Sequence, residues 1–179
     1  MADAIIAQAL NHQPYAISHQ PSAMSEMHRQ AVGITILRIC IGVFFIFEGL
    51  GKLRWFTDPS ILHGQLSGWL AAVPAGSLSH AYLQRFAVPG TAVFARLVPL
   101  GELTSGAALL FGAWPRVFAF VAFFMALNFH VASGALFTYG FLTNGYGLPV
   151  LGSTLALVFA APAAATRDSK RVARSGQRF

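Results

Sequence analysis

Residues 34–53 read ITILRICIGVFFIFEGLGKL, an apolar run whose only charges are Arg38, Glu48 and Lys52. Its length matches the roughly 20 residues that carry a helix across a bilayer. The rest of the chain has the same character. Hydrophobic residues make up 55% and charged residues only 10%, where a soluble domain carries about 25% charged residues. A small soluble protein exposes too much of its chain to hide that much apolar surface. The same numbers exclude a disordered chain, which is poor in apolar residues and rich in charge. The sequence pI near 10.3 does not indicate nucleic acid, because such binders concentrate charge on a polar, basic face. We read the chain as an integral membrane protein whose partners include lipid.

Outward from this run, residues 1–29 form a polar N-terminal segment with His12, His19, His28 and Arg29. No long apolar stretch follows a basic start there, so it is not a signal peptide. Ala4 to Leu10 could supply a short helical turn. Three further spans follow the first, and the four lie at about 32–53, 94–113, 116–137 and 148–165. Pro99 should kink the second span or end its first turn, and Trp114-Pro115 makes a tight turn before the third. Residues 138–147, TYGFLTNGYG, read as a loop.

The long connection from Arg54 to Val93 is rich in Pro, Gly, Ser and Trp. Asp58-Pro59 looks like an N-cap and N1 proline. Leu62, Leu66, Trp69, Leu70 and Val73 then recur at helical spacing. The expectation is a short amphipathic helix at the membrane surface, with Trp55 and Trp69 at headgroup level. Ser79 to Phe86 could form a second such piece. The fold class is therefore all-α: an antiparallel bundle of four transmembrane helices with an interfacial helix between the first two. Small residues at four-residue spacing (Gly152, Ala156, Ala160 and Ala164; Gly101 and Ser105; Ala108 and Gly112) could let helices approach closely.

Four spans put both termini on one side. Arg29, Arg116 and the basic tail 166–179, with Arg167, Lys170, Arg171, Arg174 and Arg178, fall there together. The positive-inside rule makes that side cytoplasmic. The high pI thus becomes an orientation and lipid-surface signal, and the expected location is a bacterial inner membrane.

Arg38, Glu48, Arg96 and Glu102 fall within or at the edge of the spans, with Lys52 one turn beyond Glu48. Charges at the bilayer centre cost about 2.5 to 3.5 kcal/mol on insertion scales, so they are rarely idle. Arg38 lies eight residues after Gln30 and Glu102 eight residues after Phe94, counted from opposite sides. That is roughly 12 Å at 1.5 Å per residue, leaving about 6 Å between them in a core of about 30 Å. The expectation is an inner Arg38–Glu102 pair and an outer cluster of Glu48, Lys52 and Arg96. Either these pairs only lock the first two spans together, or they line a polar pocket for a quinone headgroup, a proton or a small anion.

Asn128 and His130, in the third span, could bond a neighbouring helix or donate to a quinone carbonyl. His130 is the only histidine within a span, which excludes bis-His haem ligation by one chain and argues against a metal site. The single cysteine, Cys40, excludes an intrachain disulfide, a C-x-x-C redox pair and a cysteine metal cage; it reads as a packing residue. The Phe-rich runs 44–47 and 118–124 read as lipid-facing or core surface. No nucleotide-binding or nucleophile-elbow motif is present, so no covalent cofactor and no catalytic residue is expected.

Arg38, Gly42, Phe45, Gly49, Lys52 and Leu53 resemble the first-helix signature of the DoxX family. Gly101-Glu102-Leu103, Gly106, Leu109-Leu110 and Gly112, followed by Arg116, resemble its second-helix pattern. The resemblance covers about residues 30–165, a four-helix membrane domain, and leaves both tails outside. It implies a redox-associated membrane subunit and singles out Arg38, Lys52 and Glu102; Glu48 and the polar N-terminal segment lie outside its pattern. The function expected is that of a membrane subunit or anchor of a quinone-linked oxidoreductase complex, with a bound quinone and other subunits as partners. A purely structural accessory subunit and a small proton-coupled transporter are the alternatives.

Overall fold

The computed structural model describes residues 23–160, and every element among them is helical. The chain divides into two units between Ala31 and Val32. The described part of the first, residues 23–31, is helical throughout, and the second holds every packing contact and cavity given below. Residues 1–22 and 161–179 lie outside the described residues, and with them the turn at Ala4 to Leu10, most of the polar N-terminal segment, Ala164, the end of the fourth span and the basic tail.

Helix α1 spans Ala23–Gly51 and is followed by a 3-10 turn at Leu53–Phe56. The connection carries α2, Ser60–Ala72, then α3, Leu78–Tyr82, which runs into a π-helical turn at Leu83–Ala87. Helices α4, Thr91–Phe111, and α5, Pro115–Ala132, come next. A one-turn helix α6, Tyr139–Thr143, leads to α7, Leu148–Ala160. α1, α4 and α5 are long and apolar enough to cross a membrane, and α7 is a shorter apolar helix.

Local chemistry explains the boundaries. α4 ends where Gly112 turns left-handed at φ 73°, a conformation glycine adopts freely. The Ala113 N–H then donates back to the Ala108 carbonyl at 2.9 Å, closing the helix as a Schellman turn. Trp114 is also left-handed, and Pro115 stands at the first position of α5, where its missing N–H costs nothing. Pro99 sits inside an unbroken α4, past its first turn. α5 stops at Ala132, five residues short of the expected 137, because Gly134 (φ 67°) and Phe137 (φ 63°) turn the backbone. The loop at 138–147 holds α6, whose N-terminus is capped by the Thr138 hydroxyl accepting from Phe141 N–H.

α5 packs on both α4 and α7. α1 meets α4 through glycine: a Cβ on Gly106 would come within 2.7 Å of the Ile46 backbone nitrogen, and one on Gly42 within 3.0 Å of the Gly106 carbonyl oxygen. Such close approach is how helices associate in lipid, where no hydrophobic effect drives them together. One apolar cluster joins Ile41 and Phe45 to Leu109, Ala119, Ala122, Val150 and Leu157. A second joins Trp55, Leu62, Leu66, Val73 and Leu83 to Ala95 and Ala132.

That second cluster ties the connection to the bundle. Trp55 is buried against protein, and Trp69 sets its ring edge-on to Phe129 at 5.8 Å. The apolar face of α2 is spent on protein. Asp58 accepts from the Ser60 N–H at 3.1 Å, so it caps α2 from two residues before its start. The outward surfaces of the spans are apolar, with Ile36, Ile39, Val43 and Phe47 exposed along α1 and Leu97, Phe120 and Phe124 on α4 and α5. Cys40 lies exposed on that same α1 stripe rather than packed inside. The stripe of Gly152, Ala156 and Ala160 also points outward, whereas Gly101 closes on Met125 and Ser105 is buried.

Candidate functional site

Lys52 is the first residue beyond α1, and its position organises the site. The helix has just ended, with the Lys52 N–H bonded to the Gly49 carbonyl at 3.1 Å, so the side chain can turn back toward the bundle. Its Nζ donates to Glu48 Oε2 at 2.7 Å, to Glu102 Oε1 at 2.8 Å and to the Glu48 carbonyl at 3.3 Å. The ammonium also lies 5.4 Å from the Phe129 ring centroid and 6.0 Å from that of Trp55, within the range of cation–π attraction. Glu102 on α4 is almost wholly enclosed, its side chain 5% exposed.

Glu102 therefore pairs with Lys52, not with Arg38. The guanidinium of Arg38 lies instead beside Gly112, where an added Cβ would collide with it. Glu102 is ten residues before Gly112, roughly 15 Å along the helix at 1.5 Å per residue. Depth alone omits where the helices end, which decides where each side chain arrives. The place beside Gly112 puts Arg38 at the C-terminal end of α4, the helix end that favours a cation. Arg96 also stands apart from the outer cluster: it is exposed, and its Nη1 donates to the Ala92 carbonyl one turn back on its own helix.

Glu48, Lys52 and Glu102 line a cavity of about 270 Å³ together with His130, Gln65, Phe44, Phe45, Phe129, Tyr146, Ala126 and Val150. That is just below the roughly 300 to 1,000 Å³ of small-molecule sites, enough for a single-ring headgroup. The aromatic rings are ordered against one another. Phe44 meets Phe45 edge-on at 5.3 Å and Tyr146 at 5.6 Å. The His130 Nε2 lies 2.9 Å from the Tyr146 carbonyl oxygen. A carbonyl can only accept, so this nitrogen carries the proton and donates. Among the described residues no cluster of His, Cys, Asp or Glu could hold a metal ion.

Of the two candidate donors in α5, only His130 reaches this cavity. Asn128 is turned about 200° away around the axis by the helical repeat. It lines an apolar groove with Leu97, Val98, Phe120 and Phe124. Among the polar and aromatic wall residues, Tyr146, Gln65 and Phe129 escaped the sequence reading. Tyr146 stood among glycines that marked a turn, Gln65 was a polar interruption within the apolar pattern of α2, and Phe129 lay between Asn128 and His130. The Phe44–Phe47 run splits by side: Phe45, 2% exposed, walls the cavity together with Phe44, and Phe47 is 69% exposed on the outer surface.

No curated protein and no solved structure matches the chain. The family model of DoxX matches residues 33–131, from the first apolar run through Glu102 to the end of α5, leaving α7 outside. Covering more than half of the sequence and every charged residue of the cavity, the match shows that the chain belongs to the DoxX family.

Proposed function

We propose that this chain is an integral membrane subunit of a quinone-linked oxidoreductase complex in a bacterial cytoplasmic membrane, and that the cavity at Lys52 takes the quinone headgroup. In this reading α1, α4, α5 and α7 form an antiparallel four-helix bundle. The apolar sequence APAAA at 161–165 continues the α7 run. Both termini are cytoplasmic, and α2 and α3 rest at the opposite headgroup layer. The tails and the lipid-facing surfaces are what other subunits of the complex meet.

One observation carries the proposal: a headgroup-sized cavity with aromatic walls encloses a charged triad at the end of a membrane span. Quinone headgroups are planar rings with two polar oxygens. They need stacking or edge contacts from residues such as Phe44, Phe129 and Tyr146, and a polar partner when the oxygens are reduced to hydroxyls, which Glu102 Oε2 can supply. Buried charges of this kind are expensive in a membrane, and a purely mechanical lock between α1 and α4 is already provided by Gly42 and Gly106.

The test is gentle purification from native membranes, with co-purifying chains identified and bound quinone extracted and counted. The proposal expects redox subunits and close to one quinone per chain, with the quinone lost in Lys52→Met. A redox complex that retains full turnover and quinone content when this chain is deleted would make it a structural accessory instead.

A further inference from the structure

We infer that the cavity is built for the reduced, hydroxyl-bearing form of its ligand, a hydroquinone, in preference to the quinone. The inference rests on the quinone-site reading above and deepens it. A lysine ammonium has three N–H donors, and Lys52 uses all three, on Glu48 Oε2, Glu102 Oε1 and the Glu48 carbonyl. His130 uses its Nε2 proton on the Tyr146 carbonyl. Every donor among the charged and imidazole groups of the wall is thus committed within the protein.

The acceptors are not. Glu102 Oε2 is buried with no hydrogen-bond partner among the described residues, on a side chain that is 5% exposed. Glu48 offers Oε1, which Lys52 leaves unbonded. The remaining side-chain donors, the Gln65 amide and the Tyr146 hydroxyl, belong to exposed residues. At its buried end, beside Glu102, the wall offers a ligand only acceptors, so a hydroquinone hydroxyl finds a partner there and a quinone carbonyl does not.

An orphaned buried carboxylate oxygen is costly, and a ligand hydroxyl that satisfies it recovers that cost. The excess charge agrees, with two carboxylates around one ammonium. A cationic ligand fits less well, because Lys52 already holds the place over the Phe129 and Trp55 rings and would repel it.

The experiment is anaerobic calorimetric titration of the full chain in detergent with duroquinol, duroquinone and the dimethyl ether of duroquinol. The expected result is duroquinol binding about tenfold tighter than duroquinone, the ratio that one hydrogen bond to a charged group supports. The ether, which keeps the ring and loses both donors, should bind no better than the quinone. In Glu102→Gln, which adds an amide donor, the preference should fall toward unity or reverse. Equal or tighter binding of duroquinone to the unaltered protein overturns this inference and leaves the quinone-site reading standing. Binding of none of the three overturns both.

Discussion

Lys52 is where the sequence turns from membrane span into site, and three of its properties meet there. It follows the last residue of α1, it neutralises Glu48 in that helix's last turn, and it reaches across to Glu102 on α4. Removing one partner from such a group leaves uncompensated charge, which costs about 3 to 5 kcal/mol where the pair is buried. Glu48 is 33% exposed, so solvent screening puts Lys52→Met at the lower end, about 3 kcal/mol. Thermal unfolding in detergent measures it, and a change below about 0.5 kcal/mol, the level of an ordinary surface substitution, would refute the geometry. A double-mutant cycle of Lys52→Met with Glu102→Gln should show coupling above about 1 kcal/mol, since the two groups are in contact. The matching cycle of Arg38→Gln with Glu102→Gln should be additive, because roughly 15 Å of helix separates Glu102 from the place where Arg38 ends.

Among the helices, the sequence revealed which segments are helical more readily than it revealed what their faces meet. The run ITILRICIGVFFIFEGLGKL marks α1 by length alone, and Gly112 through Pro115 mark the α4–α5 turn by backbone chemistry. What it did not reveal was direction. The stripe at Gly152, Ala156 and Ala160 has the spacing of a packing motif, but α7 buries Val150, Leu151, Thr154 and Leu157 instead. Gly42 and Gly106, which belong to no four-residue stripe, make the close contact. Spacing along one helix cannot say where its partner lies. Gly106→Val should therefore destabilise the protein by about 1 to 3 kcal/mol through overpacking. Gly152→Ala, with nothing within 4 Å of the new Cβ, should lie within about 0.5 kcal/mol of the unaltered protein. Unfolding midpoints that rank these two the other way would refute the α1–α4 contact. Gly112→Ala should also destabilise by about 1 to 2 kcal/mol, because it places a Cβ in a left-handed residue and against Arg38.

For the molecule entire, membrane character follows from composition, and the apolar outer faces of α1, α4 and α5 agree with it. The site was only half legible. Glu48, Lys52, Glu102 and His130 drew notice because charge and imidazole are rare in such sequence. Their true pairing depends on where α1 ends, and Gln65, Phe129 and Tyr146 join them only because α2, α5 and the loop before α7 converge. Convergence of segments far apart in the chain is invisible to a local reading. That the cavity holds a quinone is the point on which the functional proposal stands, and photolabelling native membranes with an azido-quinone probes it without intermediaries. Label is expected on peptides bearing Phe44 to Lys52 and Phe129 to Tyr146, and is expected to vanish in Lys52→Met. Label confined to the outward faces at Phe120 and Phe124, and unchanged by Lys52→Met, would show that the quinone binds elsewhere.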